Sequence, residues 1–148
     1  MNSPVSDLLA KKSVSLLTVN PDTSVLEAVE IMNRVKVGCV MVMQDKALAG
    51  IFTERDVLRR VVAQGVDASR VAVSEVMSSQ LVTIEPSTEV GHAMDIVNEN
   101  KVRHLPVLED GRLIGLISAG DLNRHLTETF RKEAGTLMSY LSGSGLEV

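Results

Sequence analysis

The chain has 148 residues, 45% hydrophobic and 23% charged, which is single-domain size and a globular composition. A formal net charge of −4 argues against broad binding to phosphate backbones, and an aromatic content of 2% leaves almost no stacking platforms for single-stranded nucleic acid. Cys39 stands alone, which excludes an intrachain disulfide or a cysteine-rich zinc site, and no signal peptide or membrane-length apolar run is visible, so a cytoplasmic protein free of the membrane is expected.

In chain order, Val5-Ser6-Asp7-Leu8-Leu9 reads as a short lead-in helix. An extended stretch, Ser15 to Val19, then runs into Pro21 and a Thr/Ser cluster able to cap a helix, with Ser24 and Glu27 at capping-box spacing. Val25, Ala28, Val29 and Met32 follow at the i, i+3, i+4, i+7 positions of an amphipathic helix. Val37 to Met43 reads as a strand, Gln44-Asp45-Lys46 as a turn and Leu48 to Phe52 as the returning strand. A helix begins near Thr53, and Ala63 to Ser69 is a polar linker.

The same order then repeats. A second lead-in, Val73-Ser74-Glu75-Val76-Met77, precedes an extended Leu81 to Ile84. Next come a helix carrying Val90, Ala93, Met94 and Val97, a strand Val102 to Leu108, an Asp110-Gly111 turn, a strand Leu113 to Ile117 and a helix from Ser118. Pro21 and Pro86 lie 65 residues apart, and that offset pairs Thr23 with Thr88, Ala28 with Ala93, Gly50 with Gly115 and Asp56 with Asp121 without a gap. Chance does not hold register over such a span; the chain is a duplication. An α+β fold of two β-α-β-β-α repeats, packed face to face with pseudo-two-fold symmetry, is therefore expected. Its parts are a lead-in over 1–13, repeats over 14–62 and 73–127, a linker over 63–72, and a C-terminal helix with a frayed tail over 128–148.

The segment richest in chemistry is Gly50-Ile51-Phe52-Thr53-Glu54-Arg55-Asp56, matched by Gly115-Leu116-Ile117-Ser118-Ala119-Gly120-Asp121. A hydroxyl followed three residues later by Asp at a strand-to-helix junction is a capping box. The same carboxylate is also suited to accept both hydroxyls of a ribose diol, with the helix N-terminus offering N–H groups to phosphate. The two roles are compatible, and both stay open at this point. His92 and His125 read as solvated helix residues, Cys39 as an inert core thiol, and Arg55, Arg59 and Arg60 as a basic cluster whose default is a solvated face and whose alternative is a phosphate or partner contact. No P-loop, G-x-G-x-x-G, H-E-x-x-H or G-x-S-x-G motif occurs, so an enzyme is not expected.

The paired Gly-apolar-apolar-Thr/Ser-x-x-Asp endings, the Thr18 to Thr23 and Thr83 to Thr88 openings and the Arg103-His104-Leu105-Pro106-Val107 strand resemble tandem cystathionine-β-synthase (CBS) domains over about residues 5 to 141. The resemblance implies a Bateman module with two clefts for adenosine-containing ligands such as AMP, ADP, ATP, NAD(H) or S-adenosylmethionine, and no required cofactor. It implies that Thr53, Asp56, Ser118 and Asp121 hold ribose. Val19, Val37, Gly38, Cys39, Ile84, Val102 and Leu105 border adenine, and Arg103, His104 and Arg55 face phosphate. It further implies a homodimer and a regulated partner protein; a ligand-free interaction adaptor is the alternative. Because Gly38-Cys39 stands opposite Arg103-His104, the clefts are expected to differ in phosphate affinity.

Overall fold

The computed structural model describes residues 3–12 and 16–143. The first repeat comprises β1 (Thr18–Val19), α2 (Val25–Val35), β2 (Cys39–Gln44), β3 (Ala47–Thr53) and α3 (Glu54–Asp56), the last continuing as π-helical turns over Val57–Val62. The second comprises α4 (Val90–Asn100), β4 (His104–Glu109), β5 (Arg112–Ser118) and α5 (Ala119–Gly143). Helix α1 (Val5–Lys11) precedes the first, and a 3-10 turn (Val73–Glu75) precedes the second.

Local chemistry explains these elements. Ser24 Oγ accepts from Glu27 N–H at 3.1 Å, so α2 is capped, although Glu27 does not return the bond to complete the box expected from sequence. Helices α2 and α4 end at Lys36 (φ 62°) and Lys101 (φ 54°), both left-handed, so each chain reverses sharply into its strand. The two hairpins turn over two residues, with Asp110 and Gly111 both at positive φ, and both carry a register shift at matching positions, Val42/Met43 and Val107/Leu108.

One difference between the copies has a one-residue cause. In the first repeat β1 pairs in parallel with β2, and Met41 N–H donates to Leu17 O at 2.9 Å. Pro106 occupies the matching position of β4 and has no N–H to give to Val82. The expected strand over Leu81 to Ile84 is accordingly reduced to a single bridge, Ile84 to Val107. Of the expected extended stretch in the first copy, Ser15 lies outside the described residues. Helix α5 carries through Ser142 and Gly143, expected as frayed; Ser144 and Gly145 lie outside the described residues.

The lead-in segments change partners. Val5 and Leu8 of α1 are buried with Ile84, Val90, Leu105 and Leu122, the core of the second repeat. Val73 and Val76 are buried with Val19, Val25, Phe52 and Val61, the core of the first. Backbone bonds fix this exchange: Val5 N–H donates to Thr88 O at 2.7 Å, and Val73 N–H donates to Thr23 O at 2.7 Å. A third cluster, Cys39, Met41 and Ile51 with Leu81, Leu113 and Leu116 against it, joins the two repeats. The face-to-face packing expected from sequence is present, but each half also holds a piece of the other.

Candidate functional site

At the β3–α3 junction Thr53 is extended (φ −122°, ψ 165°) and forms a reciprocal capping box with Asp56. Asp56 Oδ2 accepts from Thr53 N–H at 3.0 Å and from Thr53 Oγ1 at 3.2 Å, while Thr53 Oγ1 accepts from Asp56 N–H at 3.3 Å. Its other oxygen is less committed, with Ser78 Oγ at 3.4 Å and Arg60 Nε at 3.8 Å. Arg60 is occupied chiefly by the carbonyls of Met77 (2.8 Å) and Val76 (3.2 Å), so it ties the exchanged segment to the helix.

This junction opens on the larger cleft, of about 910 Å³. Thr53, Arg55 and the helical turns to Val62 form one wall, Lys101 to His104 the other, and Ser78, Leu81, Val82 and Pro106 lie between them. Arg55, Arg59, Lys101 and Arg103 line it, against Glu54 as the acidic lining residue. At the repeat offset Arg55 matches Gly120 and Arg103 matches Gly38, so two of these cations have no counterpart in the other half. A Cβ at Gly38 would meet Glu54 Oε1 at 2.6 Å, the mobile end of a side chain that can turn aside. A hollow of about 440 Å³ adjoins on the α2 side and shares Gly38, Glu54 and Val57.

The β5–α5 junction repeats the cap: Ser118 N–H donates to Asp121 Oδ2 at 2.9 Å, and Asp121 N–H to Ser118 Oγ at 3.0 Å. Here, however, the carboxylate is fully engaged. Lys12, just past α1, donates to Asp121 Oδ2 at 2.8 Å and to Leu116 O at 2.7 Å, and Arg124 reaches Asp121 Oδ1 at 2.5 Å. Burial alone raises the pKa of Asp121, but the bonds from Lys12 and Ser118 and the Lys12 charge outweigh it and hold the carboxyl below its ordinary 3.8. The adjoining cleft is small, about 250 Å³, and is lined by Lys12 with apolar residues including Leu16, Val37, Cys39 and Leu116.

Of the residues expected at a site, the larger cleft gathers Thr53, Gly38, Arg55, Val102, Arg103 and His104, and the smaller one Val37 and Cys39. Asp56 sits behind the wall of the larger cleft at 6% exposure, shielded by Ser78. Val19, Ile84 and Leu105 are buried in the two cores, and Ser118 and Asp121 lie behind Lys12. Ser78, Lys101 and Lys12 were not singled out as binding residues by the sequence, whereas Arg59 carried a local signal, its place in the basic cluster. His104 is held below its ordinary 6.5 by burial first and then by Lys12, so it is neutral at pH 7. Burial pushes the Cys39 thiol up to about 11, as suits an inert thiol. His125, expected to be solvated, is half-buried on α5, with Nε2 shielded and no hydrogen-bond partner.

The duplication is matched by comparison with known proteins. The family model for the CBS domain matches residues 5–63 and again 73–128. The chain belongs to the CBS-domain family. It is a CBS pair, 34% identical over 151 residues to the CBS domain-containing protein CBSX3, mitochondrial, of Arabidopsis thaliana, covering 96% of this chain and 73% of that protein. Among solved structures, the CBS-domain containing protein ATU1752 from Agrobacterium tumefaciens superposes with a TM-score of 0.78 at 37% identity, over 83% of this chain and 98% of that one. The CBS domain pair of protein MJ0100, solved in complex with 5′-methylthioadenosine and S-adenosyl-L-methionine, shares the fold with a TM-score of 0.75 at 21% identity, over 87% of this chain and 99% of that one. Among the described residues, no helix is long and apolar enough to cross a membrane, and no group of three or more His, Cys, Asp or Glu could hold a metal ion.

Proposed function

We propose that this CBS pair is a regulatory sensor that binds a phosphorylated adenosine ligand, of the AMP, ADP, ATP or NAD(H) type, in its larger cleft and signals occupancy to a partner protein. The observation that carries this reading is the four-cation lining of a cleft about 910 Å³ in volume, a size that suits a nucleotide. The apolar side, Val57, Leu81, Val82 and Val102, suits an adenine ring. Ribose would lie against Thr53 and Ser78, its hydroxyls reaching Asp56 by displacing the long Ser78 contact. Arg55, Arg59 and Arg103 would take the phosphates, with His104 adding one neutral N–H. The adenosine ligands of the MJ0100 pair, neither of which carries phosphate, support the adenosine part of the ligand alone. The cation excess disfavours S-adenosylmethionine, whose sulfonium is itself positive.

In this reading the ligand leaves unchanged. It biases the packing of the repeats only by the difference in its affinity for their arrangements. A cytoplasmic homodimer through the helices, on which Leu26, Val35, Leu58 and Val62 are exposed, completes the proposal. The test is calorimetric titration of AMP and ATP into the parent chain and into an Arg55→Gly/Arg103→Gly variant, which gives the larger cleft the residues of the smaller. Loss of two charge-assisted contacts is expected to weaken binding by about a hundredfold, and more for ATP than for AMP. Equal affinity in parent and variant would refute the placement. Absence of any adenosine ligand binding would instead favour the adaptor reading, to which the saturated Asp121 carboxylate already lends some weight.

A further inference from the structure

We infer that Lys12 is a built-in occupant of the smaller cleft, and that it makes this cleft selective for adenosine ligands bearing phosphate. The inference rests on the ligand class proposed above and concerns the other site. A ribose diol would approach Asp121 as a pair of O–H donors, and Lys12 already supplies a donor to Oδ2 at 2.8 Å. Its second bond, to the Leu116 carbonyl at 2.7 Å, fixes the ammonium across β5 beside the cleft wall. The pair is shielded, with side-chain exposures of 27% for Lys12 and 14% for Asp121, so it is worth more than a surface ion pair.

Asp56 in the larger cleft has no such partner, since its nearest cation is Arg60 at 3.8 Å. The two clefts therefore differ in what a ligand must first displace. In the larger one a ribose competes with a long serine contact; in the smaller one it competes with charge-assisted bonds, the shielded one from Lys12 and an exposed one from Arg124.

What happens to the displaced ammonium decides which ligands enter. Among the described residues Lys12 is the charged residue lining the smaller cleft, and the rest of that described lining is apolar apart from the Cys39 thiol. Its flexible four-carbon stem lets the ammonium move from Asp121 to a phosphate bound in the same cleft. A phosphate-bearing ligand thus replaces the contact it breaks, whereas uncharged adenosine leaves the ammonium without a counter-ion. Lys12 is in this sense a specificity-determining residue, and the sequence gap of 109 positions between Lys12 and Asp121 joins α1 to α5 through the ligand site.

The experiment is calorimetry with adenosine and with AMP on the full chain, its Lys12→Met and Lys12→Arg variants and the double variant Lys12→Met/Asp121→Asn, with circular dichroism confirming the fold of each. Adenosine should bind the parent at one site per chain. The Lys12→Met protein should gain a second site at roughly tenfold higher affinity, with a smaller gain for AMP at that site. Lys12→Arg should behave as the parent, and the double variant should lose the second site. If Lys12→Met leaves adenosine stoichiometry and affinity unchanged while AMP still binds the larger cleft, the role of Lys12 is refuted and the proposed function stands. If no variant binds either ligand, both readings fall.

Discussion

Cys39 and His104 occupy the same position of the two repeats, and burial drives both toward their uncharged forms, raising the thiol to about 11 and lowering the imidazole below 6.5. A pH dependence follows for His104. The unfolded chain takes up a proton near 6.5, and the folded chain only at lower pH, so stability is complete above that value and is lost as pH falls below it. Urea midpoints of the parent and of His104→Gln, measured from pH 7.5 to 5, should diverge in favour of the variant below about 6.5. A constant difference across that range would contradict the assignment. At this scale the sequence was informative where chemistry is local. Both hydroxyl–Asp caps were visible because their partners are three residues apart. The Lys12–Asp121 pair was not, because no periodicity links residues so far apart in the chain.

Elements were legible in kind but not in where they dock. β-rich runs around short turns marked both hairpins to within two residues, helical spacing marked the starts of α2 and α4, and the exact repeat register carried the bulges along with it. The single bridge at Ile84 was hidden, since it depends on Pro106 being short of an N–H toward a strand it does not adjoin in sequence. The matched Gly50 and Gly115 show how closely the exchanged segments approach the sheets. A Cβ at Gly50 would meet Met77 Sδ at 2.5 Å and the Ser78 carbonyl at 2.9 Å, whereas at Gly115 it would meet Leu9 Cδ2 at 2.5 Å and otherwise the Leu9 side chain. Backbone cannot swing aside as a leucine end can. Gly50→Ala should therefore cost about 2–3 kcal/mol and Gly115→Ala clearly less, as read by chemical denaturation. Equal costs would mean that the Ser78 carbonyl gives way as easily as Leu9.

For the molecule as a whole, the exchange of lead-ins ties each repeat to a piece of the other. Leu8 is 7% exposed within the core of the second repeat, so Leu8→Ala should destabilise the protein by about 2–4 kcal/mol. Amide hydrogen exchange should show protection falling first over Ile84 to Leu122, far along the chain from the mutation, with Val19 to Val61 following; the reverse order would place α1 on the wrong half. The sequence displayed two similar lead-ins, each before its own copy, and nothing in their composition says which core each enters.

The same exchange has a consequence for synthesis. A ribosome releases α1 well before its seat, which is built from residues 84 to 122. The first repeat completes itself earlier, once Val73 and Val76 have been added. During translation the chain thus passes through a stage with a finished first repeat and α1 still waiting for its seat. The return of α1 to that later-made seat closes the second repeat, and it carries Lys12 into place beside Asp121.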